Sequence, residues 1–127
     1  MNATNPIMFD PILYPIKIWV VVNRTPSIIE GYFNDADDKP MVDTATNLAN
    51  AKAFAMKVID KEGGYAGVVL YFRNKKDMDF NLVAHESCHA ARFIFDYICA
   101  EINDHEPFEY LVGWIAGCCE KVKKGKL

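Results

Sequence analysis

The chain has 127 residues, 51% of them apolar and 24% charged. That is the length of one domain and the composition of a folded globule, which excludes a disordered or collagen-like chain. A formal net charge of -3 argues against a protein that works by neutralising nucleic-acid phosphates, and no apolar run approaches the roughly 18–20 residues that span a membrane.

The opening Met1-Asn2-Ala3-Thr4-Asn5-Pro6 lacks the basic and apolar parts of a secretory signal, so the expected compartment is the cytoplasm. There the four cysteines, Cys88, Cys99, Cys118 and Cys119, are expected to be reduced; none stands in a CxxC spacing, and they read as small buried hydrophobes.

In chain order, residues 16–22 are β-branched and aromatic, follow Pro15 and end at Asn23-Arg24-Thr25-Pro26; they predict a strand. Residues 28–33 predict a second strand, able to pair with the first as a hairpin. The acidic stretch 34–40 reads as a solvated loop, its spacing being wrong for an EF-hand. From Asp43 or Thr44, either a candidate N-cap, a helix is predicted to Lys61, with Leu48, Ala51, Ala55, Val58 and Ile59 on one face and a stop at Gly63-Gly64. Residues 65–72 predict a well-buried strand. Asp77 and Asp79 are cap candidates for a helix from about Phe80 to Ile98 or Cys99, and Asp104 for another that starts near His105 and tolerates Pro107 in its first turn. The basic run 121–126 reads as a solvated helix end favoured by the dipole. The expected order is β-β-α-β-α-α. It predicts one α+β domain over residues 1–127, a short sheet packed on helices.

The chemistry concentrates in His85-Glu86-Ser87-Cys88-His89. Residues four apart on a helix lie one turn above each other, so His85 and His89 can reach one ion, while Glu86 is placed to take a proton from a zinc-bound water. The rest of this helix is apolar nearly all round, and its polar residues Asn81, His85, His89, Arg92 and Asp96 form a single stripe. A solvated face with Arg92 and Asp96 as an i,i+4 ion pair would also give a stripe, but two histidines on it favour a metal site.

A catalytic zinc takes three protein ligands and a water. The place of a third histidine in another subclass is occupied by Phe95, which leaves a carboxylate of the last helix: Glu106, Glu109 or Glu120, with His105 beside them. If the first helix continues straight to Cys99, its last ten residues carry the chain about 15 Å past His89; Glu106 then stands too high and Glu120 level with the histidines. An early end, a kink near Asp96 or a steep crossing, which Gly113 and Gly117 would permit, restores Glu106.

The stretch Asp104-His105-Glu106-Pro107-Phe108-Glu109-Tyr110-Leu111-Val112-Gly113-Trp114, following an HExxH helix, resembles a family of small zincin-like proteins encoded by phages and prophages. There HExxH is followed by a stretch of the form Asp/Asn-x-Glu-Pro-x-Ala-Tyr-Leu-x-Gly-Tyr/Trp. The likeness covers residues 75–122 and departs from the pattern at Glu109, where alanine is usual, and at His105. It implies a zincin-like fold with a glutamate-zincin site: His85, His89 and Glu106 on one zinc ion per chain, and Glu86 as base. It also implies that the strand 65–72 lies along the cleft and holds an extended peptide by strand addition. The expected function is a zinc metallopeptidase acting on a peptide or protein, with Tyr110 or Arg92 available to stabilise the oxyanion. The alternative is a catalytically inactive zincin-fold interaction protein, a phage or prophage modulator of a host protein. Neither reading calls for a nucleic-acid or membrane partner.

Overall fold

A computed structural model describes residues 5–103 and 105–126. Its elements are β1 (Ile7–Phe9), β2 (Lys17–Val22), α1 (Ser27–Tyr32), β3 (Phe33–Asn34), α2 (Thr44–Asn47), β4 (Ala53–Asp60), β5 (Ala66–Phe72), α3 (Phe80–Tyr97) and α4 (His105–Lys124). The fold is α+β, built on one five-stranded sheet in the order β1-β2-β5-β4-β3. Among the described residues, only β2 and β5 pair in parallel.

Those two strands are apolar almost without break because both their faces are covered. Ile18, Val20, Val22, Val68, Leu70 and Phe72 form one core with the buried residues of α3 and α4. Trp19, Val21, Val69 and Tyr71 form a second with Ile28 and Ile29 of α1, Phe33 and Val58. Gly67 makes the parallel pairing possible, since a Cβ there would collide with the Lys17 carbonyl and the Trp19 ring.

Two predicted elements are corrected. Residues 28–33 are not a strand hairpinned to β2: 27–32 form α1, and only Phe33 and Asn34 are extended, pairing with β4. The apolar positions 28, 29, 32 and 33 have helical spacing, and Pro26, with φ -59 and ψ -19, already lies in the helical region. The predicted helix to Lys61 survives only as the four residues of α2, where Asp43 at the cap position adopts φ 63 and makes no side-chain cap bond. The remainder is β4, whose Phe54, Met56 and Val58 face the α1 core while Ala53 and Ala55 face α3. Its alanines, lysine and methionine are good helix formers, but pairing with β5 over seven register positions overrides that preference. Gly63-Gly64 then closes a β4–β5 hairpin, with Gly64 at φ 71 and the Asp60 N–H donating to the Tyr65 carbonyl at 2.9 Å. The order is thus β-β-α-β-α-β-β-α-α. Of the expected loop 34–40, Asn34 ends β3 and residues 35–40 form the loop, with an isolated bridge between Asn34 and Pro40. Among the described residues no helix is long and apolar enough to cross a membrane.

Candidate metal centre on helix α3

The helix that carries the motif is locally well specified. The Asp79 carboxylate accepts the Leu82 N–H at 2.8 Å as its N-cap. The helix runs unbroken to Tyr97 and closes with Cys99 at φ 56, the Ala100 N–H donating to the Phe95 carbonyl at 2.9 Å. Ser87, Ala90, Ala91, Ile94 and Phe95 are buried, while Asn81, His85, His89, Arg92 and Asp96 are all exposed. The predicted polar stripe is one continuous solvent-facing line. The Arg92–Asp96 ion pair of the alternative, solvated-face reading is not the one formed: Asp96 pairs across to Lys57 of β4 at 3.6 Å, and that ammonium lies 5.0 Å from the Tyr97 ring centre and 5.9 Å from that of Phe93. The His89 ring in turn stacks near Phe93, with centres 6.4 Å apart.

The two imidazoles converge, with Nε2 of His85 and Nε2 of His89 3.1 Å apart. Two ligand nitrogens on a tetrahedral zinc at about 2.0–2.1 Å each stand roughly 3.3–3.4 Å from one another, so the pair fits one ion with a small adjustment. Glu86 is only 6% exposed. Burial pushes its carboxyl up, and the neighbouring His85 and His89 charges pull it back down. His85 and Glu86 share a hollow of about 430 Å³ with Lys52, Lys76, Asp77 and Asp79.

The carboxylates weighed as third ligand are not brought to this pair. Among the described residues no three of His, Cys, Asp and Glu stand close enough to hold an ion. The helix register explains why. Phe108 meets Phe95 edge-on at 5.3 Å, and Ser87 lies against Cys119, so α4 runs antiparallel beside α3. Glu106 therefore stands level with Tyr97 at the end of α3, about 12 Å along the axis from His89. The early end that would restore it does not occur, since α3 continues to Tyr97. Gly113 and Gly117 do not serve a close helix approach either: both are exposed, and a Cβ on either would meet nothing within 4 Å. Glu120 is level with the motif, but it lines a separate hollow with Met78, Phe80, Val83 and Ala84 and pairs with Lys124 at 3.2 Å. Glu109 and His105 are exposed on α4, and Asp104 lies outside the described residues. Arg92 continues the stripe beyond His89, whereas Tyr110, 75% exposed, sits on α4 in other company.

The implied role of the strand 65–72 is also corrected. β5 is hydrogen-bonded on both sides, to β2 and β4, so it offers no edge to a substrate. Besides the outer strand β1, an open edge remains along β4, a segment read from the sequence as helix. β3 reaches only as far as Ile59, and the bonds from the Arg73 N–H to the Lys52 carbonyl and from Asp60 to Tyr65 turn the even-numbered residues of β4 toward β5. Ala53, Ala55 and Lys57 thus point their backbone groups outward. The alternation at 54, 56 and 58 was the signal available for it.

Of the cysteines, Cys118 and Cys119 are buried as expected, Cys88 is partly covered, and Cys99 is exposed. No protein-family model, curated protein or solved structure matches the chain, so its site is read from its own chemistry.

Proposed function

We propose that the protein is a zinc-dependent hydrolase of the peptidase kind, with His85 and His89 holding the ion and Glu86 as general base. The observation that carries this reading is the 3.1 Å convergence of the two imidazole nitrogens beside a sheltered carboxylate. Zinc bound there supplies Lewis acidity and a water acidified toward a pKa of about 7. Glu86 accepts the proton of the attacking water and passes it to the leaving amine, and its partial burial keeps its basicity above that of a solvated carboxylate. The open edge of β4 at Ala53, Ala55 and Lys57 is suited to align an extended peptide by strand addition, a role that the resemblance implies for the strand 65–72 instead.

A second reading is favoured by the two-histidine ligand set: a binding protein that keeps the helix pair of a zincin-like fold without turnover. The test is metal content by mass spectrometry on untagged protein, beside His89→Ala, Glu106→Ala and Glu86→Gln, with cleavage of a peptide library. About one zinc per chain, lost in His89→Ala, with cleavage abolished in Glu86→Gln while metal is retained, supports the enzyme. Bound zinc without cleavage of any peptide favours the binding protein. Wild-type protein that takes up no zinc sinks the metal site.

A further inference from the structure

The stretch 104–114, singled out above for its glutamate, does something else with its other side chains. Pro107, Tyr110, Leu111 and Trp114 recur at helical spacing and form one stripe of α4. Together with Pro11, Leu13 and Tyr14 from the β1–β2 connection they wall a groove of about 560 Å³, separate from the histidines. Leu111 is its buried floor, whereas Tyr110, Trp114 and Leu13 are 75%, 38% and 87% exposed. A contiguous apolar patch of this kind marks an interaction site more often than chance exposure does.

The loop wall is held in place. Asp10 accepts the Ile12 N–H at 2.8 Å and pairs with Lys17 at 2.8 Å, while the Tyr14 ring rests on Phe95 with centres 6.3 Å apart. Ile12, next to the groove, is held at φ 65, a conformation that costs a β-branched side chain. Thus the loop is pinned with Ile12 and Leu13 in water.

Charge and shape select the occupant. None of the described residues that line the groove is a cation, and its helical wall is flanked by acid: Glu106, one turn before Tyr110, is exposed and has no ion pair among the described residues, and Glu109, next to Tyr110, is exposed as well. Flat, rigid rings and proline rings suit an extended polyproline segment, whose free carbonyls the Tyr110 hydroxyl and the Trp114 indole N–H can meet. We propose that this groove docks a proline-rich segment of a partner protein that carries an arginine or lysine beside its prolines. The inference stands without the metal reading.

The test uses the full chain and a short fluorescent peptide of prolines and leucines with one flanking arginine, followed by anisotropy, with amide chemical shifts mapped on the wild type. Saturable binding is expected, with shifts at 11–14 and 107–114 and none on the histidine stripe. Tyr110→Ala and Trp114→Ala, checked for folding by circular dichroism, should each weaken it about tenfold. Glu106→Gln should weaken it about threefold, an effect that vanishes when norleucine replaces the arginine in the peptide. Absence of saturable binding, or shifts confined elsewhere, overturns the proposal. So does a dimer that Tyr110→Ala disperses, which would give the groove to a second copy of the chain.

Discussion

Helices α3 and α4 lie side by side against the same sheet face and bury the same kind of surface, yet they present opposite chemistry to solvent. The outer line of α3 is Asn81, His85, His89, Arg92 and Asp96; that of the first half of α4 is Pro107, Tyr110 and Trp114. Burial accounts for the inner faces of both, so function is sought in what each leaves outside. On α3 that set includes the two histidines proposed to hold an ion, with Glu86 buried beside them; on α4 it forms the wall of the proposed docking groove.

The contrast is broken most severely at the metal. His89→Ala is expected to lower zinc affinity by at least about a hundredfold with an unchanged denaturation curve, since the ring is exposed; calorimetry and urea titration check the two halves. Glu106→Ala should leave zinc affinity within about twofold, as its height on α4 requires, and loss of metal there would restore the ligand set that the resemblance implies.

The next largest effect belongs to the shared inner face. Phe95, 2% exposed between Tyr14 and Phe108, ties α3, α4 and the groove loop together. Phe95→Ala should cost about 3–5 kcal/mol in denaturant unfolding and loosen peptide docking as well. A loss below about 1 kcal/mol would mean that the two helices are not joined there.

A pH effect sharpens the same interface. Burial pushes the Cys119 thiol of α4 up to about 12 and that of Cys118 to about 11. Between the ordinary thiol range and these values the unfolded chain loses protons that the folded chain keeps. Their contribution is therefore fully present below about pH 8.5 and is lost as pH rises toward the folded values, at up to about 1.4 kcal/mol per pH unit for each thiol. Unfolding at pH 8 and pH 10 measures it, with Cys119→Ala flattening the slope; Cys99, exposed, should meanwhile react with a thiol reagent in the folded state. The smallest effect is at the start of α3, where Asp79→Ala removes the cap to Leu82 and should cost about 1 kcal/mol.

The legible parts share a cause. α3 and α4 carry long, strongly patterned runs with an N-terminal cap or a first-turn proline, and β2 and β5 are dense in β-branched and aromatic residues; each preference is local and agrees with the final environment. The convergence of His85 and His89 was legible for the same reason, because the two rings are brought together by helix geometry alone. The place of Glu106 was not, since Glu106 and His89 are seventeen residues apart in sequence and their separation depends on where one helix stops and how the next lies on it.

By itself the sequence determined the identity of α3, its polar line and the buried strands β2 and β5, all of which follow from spacing within a few turns, whereas it left the cap of α3 between Asp77 and Asp79. Only the tertiary structure decided that 53–60 is a strand, because its helix formers are overruled by the ladder to β5 and by α1 and α3 on its two faces. It decided, too, that β4 carries an open edge and that the Pro107–Tyr110–Trp114 line meets the β1–β2 loop in a groove. These are contacts between segments distant in the chain, which no local pattern can encode.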